Sequence, residues 1–162
     1  MMQTRVLVPS GVLGLGFDPV ALARGIAAGP DIIAIDGGST DSGPFYLGTG
    51  TSKYSRAVCR DEWRQLLIAR AEAGVPLVIG SCGTCGTASA VDWMFEITCE
   101  LAAELGQNLR VARLYSDVPT DTLRQARDAG RLAPLDPAPA IDDTALAGMT
   151  NIVALAGAEH MQ

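Results

Sequence analysis

Asp31-Ile32-Ile33-Ala34-Ile35-Asp36-Gly37-Gly38-Ser39-Thr40-Asp41-Ser42-Gly43-Pro44 is the stretch on which the fold turns. An apolar run stops at a carboxylate and enters a glycine-rich polar loop. Ile32 to Ile35 is short and uninterrupted, the pattern of a parallel strand covered on both faces, which leaves Asp36 at its carboxyl end. Ligands of open α/β sheets gather at that end. Gly37, Gly38 and Gly43 allow backbone amides to approach a ligand closely. Ser39 and Thr40 add hydroxyls, and Asp36 or Asp41 is placed to handle a proton. A sharp strand-to-loop turn uses the same residue types.

Similar units lie on both sides. Arg5 to Pro9 reads as a strand followed by Ser10 and a loop with Gly11, Gly14 and Gly16. The spacing is not the dinucleotide fingerprint and no Walker lysine follows, so a phosphate cradle is a weak reading. Asp18-Pro19 is an N-cap with proline in the first turn, and Val20, Leu22, Ala23, Ile26 and Ala27 predict a buried helical stripe up to Gly29. Gly37 to Ser55 is long for a connection, and with Phe45, Tyr46 and Tyr54 it predicts a folded binding loop or lid, or a loop ordered by a neighbouring subunit. Arg56 to Gly74 predicts a helix with Cys59 as a core residue, Val75 to Ile79 a third strand, and Ala88 to Leu105 a helix stopping at Gly106. Asn108 to Tyr115 predicts a fourth strand, Thr120 to Ala129 a helix, Leu132 to Ala140 a proline-punctuated connector, Asp142 to Ala147 a short helix and Asn151 to Leu155 a fifth strand. The expected fold class is therefore α/β: residues 1–162 as a single doubly wound, Rossmann-like domain with a five-stranded, mostly parallel sheet. The loops at Ser10, Asp36, Ser81, Ser116 and Ala156 would share one edge.

The 162 residues suffice for one domain with a real core. A formal charge of -6 and the lack of a basic cluster argue against a nucleic-acid partner. No apolar stretch reaches membrane-spanning length and no leader pattern opens the chain, so the expectation is a soluble cytoplasmic protein whose four cysteines are free thiols.

The second chemically suggestive stretch is Gly80-Ser81-Cys82-Gly83-Thr84-Cys85-Gly86-Thr87. A thiol between a strand end and a helix start has its pKa lowered by backbone amides and the helix dipole, which predicts a reactive Cys82 and a less exposed Cys85. The pair is open to three readings: a dithiol that cycles as a disulfide, a nucleophile or acid–base group, or a metal site. The last is the weakest, because His160 is the one histidine and Cys59 and Cys99 fall in helices. Both cysteines also serve as small residues in a tight loop. Asp92 is a candidate to orient a ligand or Cys82, or a residue that favours the helix start. Lys53, Tyr54 and Arg56 form a cationic and phenolic group suited to a carboxylate or phosphate, or a solvated helix start. The sequence leaves the cofactor unknown.

Pro9-Ser10-Gly11 with Gly14 and Gly16-Phe17, the block Asp36 to Pro44 with Tyr46-Leu47-Gly48, and Gly80-Ser81 with Asp92-Trp93 resemble the acyclic terpene utilisation (AtuA-like) family over most of the chain. The resemblance implies a bacterial catabolic protein associated with small acids or acyl thioesters. Members carry alanine or glycine at Cys82 and Cys85, so a thiol mechanism does not transfer. They are also longer, which makes this chain resemble their N-terminal portion, as the small subunit of a split enzyme. The combined expectation is an enzyme subunit acting on a small carboxylate or acyl thioester by lyase or isomerase type chemistry. Asp36 or Asp41 would handle the proton, and amides of Gly37, Gly38, Gly43, Gly83 and Gly86 would hold an oxyanion. Ser10, Tyr46, Tyr54, Arg56, Ser81 and Asp92 would line the site. A larger partner subunit or a homo-oligomer is expected. The rivals are a dithiol oxidoreductase using Cys82 and Cys85, and a non-catalytic binding subunit.

Overall fold

In the computed structural model the described residues are 3–38 and 43–154. Three parallel strands, β1 (Val6–Leu7), β2 (Ile32–Asp36) and β3 (Leu77–Gly80), stand in the order β1-β2-β3. Val6 lies opposite Ile32, Ile33 opposite Leu77, and Asp36 opposite Gly80. Helix α1 (Pro19–Ala27) joins β1 to β2, and α2 (Pro44–Thr49) and α3 (Arg56–Ala73) join β2 to β3. After β3 come α4 (Ala88–Leu105), α5 (Thr120–Asp128) and α6 (Asp143–Gly148). The helix starts follow capping chemistry. Asp18, Ser55, Thr87 and Asp142 each accept a backbone N–H of the first turn, and Gly74 and Gly106 end α3 and α4 in left-handed conformation.

The main core gathers Leu13, Ile33, Leu66, Ile97 and Leu101, all fully buried, with Trp63 Nε1–H donating to Thr98 Oγ1 at 2.9 Å between α3 and α4. Along β2 only Ile33 and Ile35 are buried, while Ile32 and Ala34 are half-buried. The expectation of a strand covered on both faces is thus corrected. α1 and α3 pack on each other, so both crossovers return over the same face of the sheet. Successive right-handed crossovers that move one way across a sheet place their helices on one side. On the opposite side Val6 is 56% and Val8 58% exposed. The predicted stripe on α1 narrows accordingly to buried Leu22 and half-buried Ile26.

The five-stranded doubly wound sheet is overturned. The predicted fourth strand makes no ladder with β3. Its side chains bind it to α4 instead: the Arg113 guanidinium lies 4.4 Å from the Phe95 ring centre and 2.7 Å from Asp92, and the Tyr115 hydroxyl donates to the same carboxylate at 2.5 Å. The predicted fifth strand is reduced to a bridge in which Val153 opposes Asp117 antiparallel, with Val118 N–H donating to Ile152 C=O and Ala154 N–H to Ser116 C=O. Leu155 lies outside the described residues. Asn151 redirects this segment, since its amide donates to the Leu47 carbonyl at 2.8 Å and holds the chain across α2. α5 and α6 are joined through Arg127 and Asp143, 2.8 Å apart.

One buried charge organises the strand-end side. Glu62 of α3 is 5% exposed, and its Oε2 and Oε1 accept the N–H groups of Gly14 and Gly16 at 2.7 and 2.8 Å. Between β1 and this clamp, Leu13 N–H donates to the Asp36 carbonyl at 2.8 Å. Burying a carboxylate is tolerable because each oxygen meets a donor. Glu62→Gln presents an amide N–H to a backbone N–H and is expected to cost about 1–3 kcal/mol, with Glu62→Leu costing more. Urea denaturation checks this, and an unchanged midpoint in both variants contradicts the clamp.

Candidate functional site at the carboxyl edge of the sheet

Asp36 closes the central strand and is half-buried. Its Oδ1 accepts the Gly38 N–H at 3.1 Å, and Gly37 N–H donates to the Gly80 carbonyl at 2.6 Å. The two glycines are required by close approach. A Cβ on Gly37 would lie 2.5 Å from the Gly80 oxygen, and one on Gly38 would collide with the Thr84 backbone. The exit of β2 is therefore pressed against the turn that follows β3. Ser10, three residues beyond β1, donates to the Val12 carbonyl at 3.3 Å.

That turn, Ser81 to Gly86, is tightly wound. Ser81 (φ 45°) and Thr84 (φ 75°) adopt left-handed backbone that is costly for side chains with a Cβ. Thr84 N–H donates to Ser81 C=O and Gly86 N–H to Cys82 C=O, both at 3.0 Å. Cys82 and Cys85 are each 8% exposed, so Cys85 is no less accessible than Cys82. Cys85 Sγ lies 3.4 Å from Thr87 Oγ1. Burial, reinforced by the neighbouring Cys85 and Asp36, pushes the Cys82 thiol up to about 11 against a smaller lowering by a backbone hydrogen bond. The expected low-pKa thiolate is corrected: desolvation outweighs the helix start. Cys82 is a neutral thiol at ordinary pH, placed beside Asp36. The four cysteines are free.

Other predicted residues have different duties. The Gly37, Gly38 and Gly86 amides are taken by Gly80, Asp36 and Cys82, so an oxyanion cradle made from them is not formed. Gly83 lies against Ala90, where a Cβ would come within 3.0 Å, and Gly43 precedes α2 with φ 81°. Tyr54 packs on the core over Gly14, with the Lys53 ammonium 5.5 Å from its ring, and Lys53 N–H donates to Thr84 Oγ1 at 3.3 Å. Arg56 pairs with Glu100 at 2.7 Å on the α3–α4 seam, Asp92 serves Arg113 and Tyr115, and Tyr46 packs edge-on to Phe45 at 5.3 Å. Ser39, Thr40, Asp41, Ala156 and His160 lie outside the described residues. The glycine loop after β1 holds no phosphate cradle at Gly14 and Gly16, because Glu62 occupies their amides.

Three residues that sequence reasoning missed support this edge. Glu62 was detectable: it stands at helical spacing from Cys59, Leu66 and Ala69, a charge on a buried stripe. Asp117 accepts the Ala88 N–H at 2.7 Å at the start of α4, and Asn151 holds α2. Both act across long sequence separations that leave no local pattern. Among the described residues, no three His, Cys, Asp or Glu side chains gather to hold a metal, and no helix is long and apolar enough to cross a membrane.

No family model, curated protein or solved structure matches the chain.

Two outcomes are expected. Gly38→Ala forces the Thr84 backbone aside and lowers stability by about 1–3 kcal/mol in urea denaturation, a loss absent if the approach is looser than described. The thiolate absorbance lost in Cys82→Ser is expected to titrate near pH 11, not near the ordinary 9.0. Since the folded value is the higher one, the stability owed to the neutral buried thiol is fully present below about pH 9 and is lost as pH rises to 11. A Cys82→Ser stability profile that parallels the parent across that window contradicts the assignment.

Proposed function

We propose that the chain is an enzyme subunit that binds a small carboxylate or acyl substrate at the carboxyl edge of its sheet and moves a proton with Asp36, in chemistry of the lyase or isomerase type. The observation that carries this reading is the position of Asp36: last residue of the central parallel strand, half-buried, beside the neutral Cys82 thiol. A carboxylate there acts as base. A thiol kept protonated donates a hydrogen bond to the substrate and needs no ionisation. The role for Cys82 is therefore a neutral donor, not a nucleophile, and a dithiol exchange that starts from its thiolate is disfavoured by the same burial. The resemblance to the acyclic terpene utilisation family supports the substrate class. A second reading, a binding subunit of a larger assembly, is favoured by the exposed Val6 and Val8 on the uncovered side of the sheet.

Amide and methyl NMR spectra recorded against a panel of short carboxylates and acyl thioesters test the proposal. Binding is expected to shift Gly37, Gly38 and Gly80 to Gly83 first. Asp36→Asn, folded by the same spectra, is expected to abolish any turnover of the ligand that binds. Shifts confined to other surfaces, or turnover unchanged in Asp36→Asn, would refute it.

A further inference from the structure

A trough runs between α1 and α3 on the helical side, beginning at Gly16 and Glu62 of the clamp and leading away from it. It consists of two open depressions of about 360 and 210 Å³ that share Pro19 and Gln65 as lining residues. On α3 the lining recurs every three or four residues, at Val58, Asp61, Gln65, Ile68 and Glu72. Those positions form one stripe of about four turns, about 21 Å long at 1.5 Å per residue. α1 contributes Pro19, Leu22, Ala23 and Ile26. α1 itself lies close on the sheet: Gly25 meets Leu7, where a Cβ would come within 2.5 Å of a Leu7 methyl.

The charges on this surface have one sign. Asp61 and Glu72 stand toward opposite ends of the stripe, and no Lys or Arg lines either depression. Two arginines on α3 are drawn to the opposite seam, where Arg60 and Arg64 both pair with Glu104 of α4 at 2.5 and 2.8 Å. The third lining carboxylate, Glu62, is engaged by Gly14 and Gly16. What the trough offers is a mainly apolar lining of four-turn length, interrupted by Gln65, whose amide donates to Asp61 at 3.3 Å, with an anionic group near each end.

We propose that this trough seats an amphipathic helix of a partner protein, about 15 residues long, with apolar side chains at helical spacing and two basic residues roughly 11 positions apart facing Asp61 and Glu72. Elongation favours a helix over a compact small molecule, and the uniform acidity selects a cationic partner. Asp36, Gly37, Gly38 and Cys82 do not line this surface, so the two proposals are tested independently.

The test uses two synthetic helical peptides of about 18 residues with identical leucine stripes. One carries lysines about 11 positions apart and the other glutamates at the same places. Binding to the full chain is followed by fluorescence anisotropy and located by amide NMR. The lysine peptide is expected to bind at least about tenfold more tightly, a preference that weakens with salt. The exposed double variant Asp61→Lys with Glu72→Lys is expected to reverse the preference, and Ala23→Trp, which fills the trough, to abolish binding of both peptides. Equal binding of the two peptides, a preference unmoved by the charge reversal, shifts outside α1 and α3, or no binding up to about 1 mM would each overturn the proposal.

Discussion

The Glu62 carboxylate is the constraint on which the strand-end architecture depends. β1 contains only two residues, so its ladder with β2 cannot by itself fix the loop that leaves it. Glu62 supplies that fixation from the facing helix, one oxygen for each of the Gly14 and Gly16 amides. A charge taken out of water demands full satisfaction, and two charge-assisted hydrogen bonds meet the demand only if loop and helix keep their spacing. Through Leu13, which donates to the Asp36 carbonyl, the same clamp reaches the end of the central strand. The carboxylate proposed to move a proton thus rests on one that holds still.

Around this clamp the layers divide the work. The core lies between one face of the sheet and the helices α1, α3 and α4, where leucine and isoleucine side chains are fully buried and the Trp63 indole finds Thr98. The arginine and glutamate pairs along the α3–α4 seam are partly exposed and add orientation more than stability. On the strand-end side, polar contacts replace apolar ones. Thr84 accepts from Lys53 N–H, Asp117 from Ala88 N–H, and Asn151 donates to the Leu47 carbonyl.

How far the fold could be read from sequence depended on how local its determinants are. Asp18-Pro19, Ser55, Gly74 and Gly106 mark helix ends through caps that involve only neighbouring residues, and those helices lie where the pattern puts them. Ile32 to Asp36 identifies the central strand for the same reason. The run Asn108 to Tyr115 has strand composition, but its pairing depended on whether Arg113 and Tyr115 would find Asp92, a contact no propensity records. Cys82 was misjudged by weighing a helix start without the burial that opposes it. Asp36 was legible as a strand-end carboxylate, whereas the Gly37 and Gly38 amides looked available until their partners Gly80 and Asp36 were placed.

Asn151 carries a consequence for the order in which the molecule is completed. Its side chain satisfies carbonyls of α2 that are more than a hundred positions earlier, and the residues just after it pair with the segment whose Asp117 caps α4. A ribosome adds roughly 5–20 residues per second, so α2 waits about 5 to 20 seconds after its own synthesis for that partner to be made. The core between sheet and helices α1 and α3 can assemble during this interval from residues already present. The α2 part of the strand-end edge is consequently the last to close, and a nascent chain stalled before Asn151 would hold a formed core and clamp beside an unfinished rim.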